Sequence, residues 1–281
     1  MSCFATLLTT TIPPAAIAAQ EKSYVTYTLS NLQSVPEAPL NKNAPPTITI
    51  LESPNLLGST GTTGFRTWEA SLQLSDFLCS TSCPPDLTLR GKNVLELGSG
   101  TGYLSICCSK YLSAAHVTAT DGFDTVITDL GTNLFINDLQ DCPAVSTREL
   151  RWGHALLGNE DSVFLEHRIP DIIIGADITY DAAALPALVA TLRDLLELFP
   201  AAQVLISSTV RNEETYEKFL GLCAKYHFTL EHLLWQGTKP EVQRGPFYST
   251  DMPVRICRLA PTRQRTGNSI SQDSNVLPSH D

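Results

Sequence analysis

Between residues 92 and 260 the chain alternates short apolar runs with longer segments of helical period. Lys92–Leu97, His116–Thr120, Ala144–Leu150, Asp171–Ala176 and Gln203–Ser208 read as strands, and Phe228–Leu234 and Val254–Leu259 as two more. Tyr103–Leu112, Asp124–Asp138, Leu185–Phe199 and Glu213–Tyr226 read as helices; in the second of these, Val126, Ile127, Leu130, Leu134 and Ile136 form the apolar side. Apolar strands alternating with helices predict an α/β fold with a parallel sheet covered on both faces. In such sheets ligands bind at the carboxyl ends of the strands, near the switch point.

The flanks differ. Residues 1–46 mix Ser, Thr, Pro and Asn and read as an extension or linker, in which Tyr24–Leu29 has the composition of a short strand or docking segment. Residues 47–260 form the expected compact body, and 261–281 read as a disordered tail. Trp235–Pro253, between the last two strands, is long for a hairpin loop and carries Lys239, Arg244, Phe247 and Tyr248. Substrate recognition and a disordered excursion are its two readings.

Composition narrows the function. The 281 residues are 43% hydrophobic and 17% charged, enough apolar material for a full core. A net charge of −10 argues against binding nucleic acid through the whole surface and against a polybasic membrane anchor. No uninterrupted apolar window reaches 18 residues, so no membrane span is expected. Residues 1–20 lack the basic start of a secretory signal. The eight cysteines include no C-x-x-C pair, and Cys79 and Cys83 find no second pair to complete a zinc site. Free thiols, no bound metal and a cytoplasmic location are expected.

Chemistry concentrates at the strand ends. The first strand runs into Glu96-Leu97-Gly98-Ser99-Gly100-Thr101-Gly102. Alternate glycines let a backbone turn sharply and approach a ligand closely. A phosphate-binding P-loop would need a lysine after its second glycine, and none lies there. A dinucleotide fingerprint would need its third glycine at position 103, which is Tyr. The carboxylate of Glu96 suits a ligand bearing an amine and a sulfonium, such as S-adenosylmethionine, better than a pyrophosphate. Asp121 ends the second strand, 23 residues after Gly98, where a carboxylate can accept hydrogen bonds from ribose hydroxyls; its other reading is a helix cap. Trp152, after the third strand, is either a cover for an adenine ring or a core residue. Asp177-Ile178-Thr179-Tyr180 follows the fourth strand. DNA adenine methyltransferases carry two prolines at the middle positions, and Ile178 and Thr179 disfavour a flipped base as substrate.

With these motifs the chain resembles the class I, seven-β-strand methyltransferases, and more narrowly their protein-lysine methyltransferases with an acid-x-x-tyrosine motif. The segment Gly61-Thr62-Thr63-Gly64-Phe65-Arg66-Thr67-Trp68-Glu69-Ala70 is similar to the corresponding segment of the elongation factor 2 lysine methyltransferases, over a resemblance spanning 22–260. It implies a Rossmann-like, doubly wound sheet of seven strands with a reversed last strand. It also implies transfer of methyl from S-adenosylmethionine to a protein lysine, with elongation factor 2 as the partner. Trp68, Gly98, Ser99, Gly100, Asp121, Trp152 and Ala176 would contact the cofactor, and Asp177 and Tyr180 would position the lysine. A monomer is the expected state. The other readings are a methyltransferase acting on a different protein, a small molecule or nucleic acid, and a non-catalytic binding module on the same fold.

Overall fold

The structure, a computed structural model, describes residues 21–34, 46–56, 63–154 and 168–262. Gly61, Thr62 and most of the expected tail lie outside the described residues.

Nine strands and five α-helices are described. Strands β1 (Ser23–Thr28) and β2 (Thr47–Glu52) pair antiparallel as a separate ribbon. The main sheet takes β3 (Asn93–Leu97), β4 (His116–Asp121), β5 (Val145–Glu149), β6 (Ile172–Ala176), β7 (Gln203–Thr209), β8 (Phe228–His232) and β9 (Val254–Pro261). Their order across it is β5-β4-β3-β6-β7-β9-β8. The first five strands run parallel, and β9 lies antiparallel between β7 and β8. This is the expected seven-stranded sheet with its last strand reversed. The order turns back between β3 and β6, so the carboxyl ends of those two strands form the switch point.

The helices are α1 (Glu69–Cys79), α2 (Tyr103–Lys110), α3 (Asp124–Ile136), α4 (Leu185–Leu198) and α5 (Glu213–Lys225). Two apolar clusters lie against the sheet: one joins α1 and α2 to β3 and β4, the other joins α4 and α5 to β6 and β7. A sheet buried on both faces explains why its inner strands read as unbroken apolar runs.

The ribbon is part of this packing. Leu29, Leu32, Ile48 and Ile50 are buried in the first cluster. The free edge of β2 is closed by Asn133 on α3 and by Asn137 at its C-terminal cap. Asn137 takes the Thr49 N–H at 3.1 Å and donates to the Thr49 carbonyl at 2.7 Å. Asn133 does the same for Leu51, at 2.8 and 3.4 Å.

The segment 233–253 is bonded to α1. Tyr248 is buried and donates to Asp76 at 2.7 Å, and Thr238 donates to the same carboxylate at 3.3 Å. Because β9 is reversed, its first residue pairs with the last residue of β7, Thr209 with Val254. The segment therefore leaves and re-enters the sheet at the end where the ligand site is expected. The seven cysteines among the described residues are free thiols. No described helix is long and apolar enough to cross a membrane.

Candidate active site

A cleft of about 1030 Å³ opens at the carboxyl ends of β3, β4, β6 and β7. All ten residues singled out from the sequence line it: Trp68, Glu96, Gly98, Ser99, Gly100, Asp121, Trp152, Ala176, Asp177 and Tyr180.

One half is made of backbone. After β3 the chain turns through Gly98 at φ 66°, Gly100 at φ 52° and Gly102 at φ 82°, a region that side chains rarely adopt. A Cβ on Gly98 would lie 2.7 Å from Ile178 Cγ2 and 3.4 Å from Trp152 Cζ2. A Cβ on Gly100 would lie 3.3 Å from the Gly64 carbonyl, because the segment 63–68 passes directly over the loop. Ser99 is pinned by its N–H and its hydroxyl to the Thr120 carbonyl, at 2.8 and 3.1 Å.

Two carboxylates serve this half. Asp121 Oδ2 accepts the Gly100 N–H at 3.1 Å. Burial raises its carboxyl above the ordinary range, opposed by the amides of Gly100, Phe123 and Gly122. Asp121 is therefore tied to the glycine loop, and no side-chain cap of α3 by Asp121 is present. Glu96 lies beneath the loop and accepts a hydrogen bond from Ser105. Burial pushes its carboxyl up to about 8, against hydrogen bonds from Ser105 and Ser99. Trp152 stands beside Gly98 and also packs, partly buried, on the α4 cluster.

The other half is made of side chains from distant segments. Trp68 Nε1 donates to the Thr63 carbonyl at 2.7 Å, and the Thr63 hydroxyl lies 2.9 Å from that of Tyr180. Arg66 and Arg211 both lie against the Trp68 ring, 4.7 and 5.1 Å from its centroid. Glu69 joins them, 3.4 Å from Arg66 and 2.7 Å from Arg211. The segment is also held from behind: Glu52 accepts the Tyr27 hydroxyl at 2.5 Å and the Thr67 N–H at 2.6 Å.

Asp177 sits in this network at φ 53°, only 8% exposed. Its Oδ1 accepts the Thr209 N–H at 2.9 Å and faces Arg211 at 3.4 Å. Its Oδ2 accepts the Thr209 hydroxyl at 2.9 Å and the Ala70 N–H at 3.2 Å. Burial raises its carboxyl above the ordinary range, opposed first by Arg211 and then by these hydrogen bonds. The carboxylate thus caps the first turn of α1, where a negative charge is favourable. It also fastens that helix to the end of β7. Four donors of the chain occupy it, and the left-handed bend is held by them. Tyr180 differs, being 48% exposed at the cleft wall.

No motif in the sequence marks Arg211, Thr209 or Glu52 as part of the site, or assigns a role to Arg66 and Glu69. The usable signal was the end of the fifth strand: Thr209-Val210-Arg211 lies beside the switch point, where ligands bind. Nothing local marks Glu52, whose partners are 15 and 25 residues away.

A family model described as lysine methyltransferase matches residues 46–225. Protein-lysine N-methyltransferase EFM3 of Chaetomium thermophilum is 46% identical over 259 residues, which cover 92% of this chain and 74% of that protein. The protein of that name from Saccharomyces cerevisiae is 34% identical, covering 63% of this chain and 53% of its own length. Protein-lysine N-methyltransferase EEF2KMT of Homo sapiens is 32% identical, covering 61% and 53%. The matched region is thus about half the length of the yeast and human relatives.

Proposed function

The chain belongs to the lysine methyltransferase family, and from that premise we propose that it transfers a methyl group from S-adenosylmethionine to a lysine of translation elongation factor 2. The observation that carries the reading is the meeting of Gly98, Asp121, Trp152, Trp68 and Tyr180 on one cleft. The similarity of residues 61–70 to the elongation factor 2 lysine methyltransferases and the human relative named EEF2KMT support the substrate.

The lining suits this cofactor. The glycine loop leaves a cradle that a Cβ would fill. Asp121 supplies a carboxylate for ribose hydroxyls, Glu96 would ionise beneath the loop as a cationic amine approaches it, and Trp152 supplies a flat face for adenine. When bound, the cofactor supplies an electrophilic methyl on a positively charged sulfur. The chain's own residues must bring a lysine amine in line with it and keep that amine neutral. A free lysine, with a pKa near ~10.4, is mostly protonated at pH 7. Tyr180, exposed at the wall, offers its ring and hydroxyl to the amine. Asp177 acts at one remove: by clasping α1 to β7 it fixes the segment 63–69 and hence Trp68. Positioning of this kind is worth ~7–11 kcal/mol in favourable cases. The segment 233–253, at the same end of the sheet, would meet the substrate protein. The protein acts as a monomer in the cytoplasm.

The test is mass spectrometry of elongation factor 2 from cells lacking this protein. Loss of one methyl-lysine, restored by the wild-type chain, is the expected result. An unchanged pattern would refute the assignment of elongation factor 2. Calorimetry of the purified chain with S-adenosylmethionine tests the cofactor independently; no binding would favour a non-catalytic role.

A further inference from the structure

Arg211 has no part in the transfer as described, yet it is the side chain on which the network converges. It faces Asp177 at 3.4 Å and Glu69 at 2.7 Å, and lies on the Trp68 ring. The charged and titratable groups around it are Arg66 and Glu69 at the start of α1, and Asp177, Tyr180 and Asp181 after β6. Glu213 follows it in the chain but is held by Arg255 at 2.8 and 3.0 Å. Across the cleft lie Glu96, Asp121, Arg151 and His154.

The acceptor amine sets the problem. A carboxylate beside an ammonium stabilises the protonated form, and only the neutral amine can attack. Asp177 and Glu69 without a counter-charge would therefore hold lysine in its inert state. In the network they face two guanidiniums, Arg66 and Arg211, so the charges balance. Resting on the lysine-transfer reading, we propose that Arg211 is a positioning residue that cancels the Asp177 charge and so lets the acceptor lysine release its proton to solvent water before the neutral amine attacks. A fixed positive charge at the wall favours the neutral amine directly, as a cationic neighbour does for other activated lysines.

Two measurements test this. The first is the pH dependence of kcat at saturating S-adenosylmethionine, with elongation factor 2 purified from cells lacking the enzyme. Arg211→Gln should move the midpoint up by about one pH unit. Turnover near neutrality then falls about tenfold and recovers at high pH. KM should hold or fall, because a more negative cleft keeps the cation better. Arg211→Lys should stay near wild type. Glu69→Gln, which removes a negative charge, should move the midpoint the other way. A loss in Arg211→Gln that persists at every pH, with the midpoint unmoved, would overturn the proposal and leave Arg211 a prop for Trp68. The second measurement needs no substrate: carbon-13 NMR titration of the Asp177 carboxyl in the full chain. Arg211→Gln should raise its titration, and an unchanged curve overturns the proposal. Should wild type transfer no methyl to the factor, the substrate reading fails while this titration still decides the Arg211–Asp177 coupling.

Discussion

The two halves of the cleft are built from different material. The glycine-loop half comes from 26 consecutive residues, 96–121, and its shape is carried by backbone at positive φ. The opposite half is assembled from 63–69, 177–180 and 209–211, and every bond that joins these segments uses at least one side chain. A backbone site tolerates changes around it but not in its own glycines. A side-chain site passes damage from one member to all the others. The first half should thus fail in cofactor affinity, the second in stability and turnover.

Asp177→Ala probes this most severely. It removes one acceptor from four donors, and a loss of about 3 kcal/mol is expected from the donors left unpaired. Turnover should vanish while the dissociation constant for S-adenosylmethionine stays within a few-fold, by calorimetry. A large loss of affinity would show that the halves are not separable. Gly98→Ala is the mirror case, placing a methyl 2.7 Å from Ile178 Cγ2 at φ 66°. It should cost about 2 kcal/mol in thermal unfolding and most of the cofactor affinity; normal affinity would mean the loop is not the cradle. Asp121→Ala should weaken the cofactor roughly 30-fold, about 2 kcal/mol for hydrogen bonds to a charged acceptor, and should also lower the melting temperature, because the Gly100 amide loses its acceptor. An unchanged dissociation constant would remove Asp121 from the site.

The last effect is a slope, at most about 1.4 kcal/mol per pH unit. Glu96 in the folded state titrates at about 8, above the ordinary 4.5. Between those values the folded state holds a proton that the unfolded state has released. Stability of the cofactor-free protein should therefore be greatest below about 4.5 as far as this group is concerned, and be lost as pH rises to about 8. Glu96→Gln should flatten that part of the melting profile; a slope equal to wild type would show that Glu96 is not the cause.

The same contrast explains what the sequence showed. Strands such as Ile172–Ala176, and the carboxylates at strand ends, stand next to their own signals. Helix α1 and strand β2 do not. Helix α1 has a stripe at helical spacing, Ala70, Leu74, Phe77 and Leu78, but Ala70, Leu72 and Leu74 also alternate as a strand would, so its period is ambiguous. Strand β2 alternates correctly, with Ile48, Ile50 and Glu52 inward, but it follows a Pro-rich stretch that reads as linker. Arg211 illustrates the limit. An arginine after a strand is an ordinary surface residue until Glu69, 142 positions away, comes within 2.7 Å.

The reversal of β9 carries a consequence for how such an enzyme can change partners over evolutionary time. A parallel strand in that position would have fed its preceding connection from the opposite end of the sheet. Reversed, it sends residues 233–253 out at the carboxyl end of β7, anchored through Asp76 rather than through the glycine loop. Under the proposed function, insertions or exchanges in that segment would alter the surface offered to a substrate without touching a residue of the 96–121 loop. Selection can tune what is modified and how it is modified as nearly independent traits.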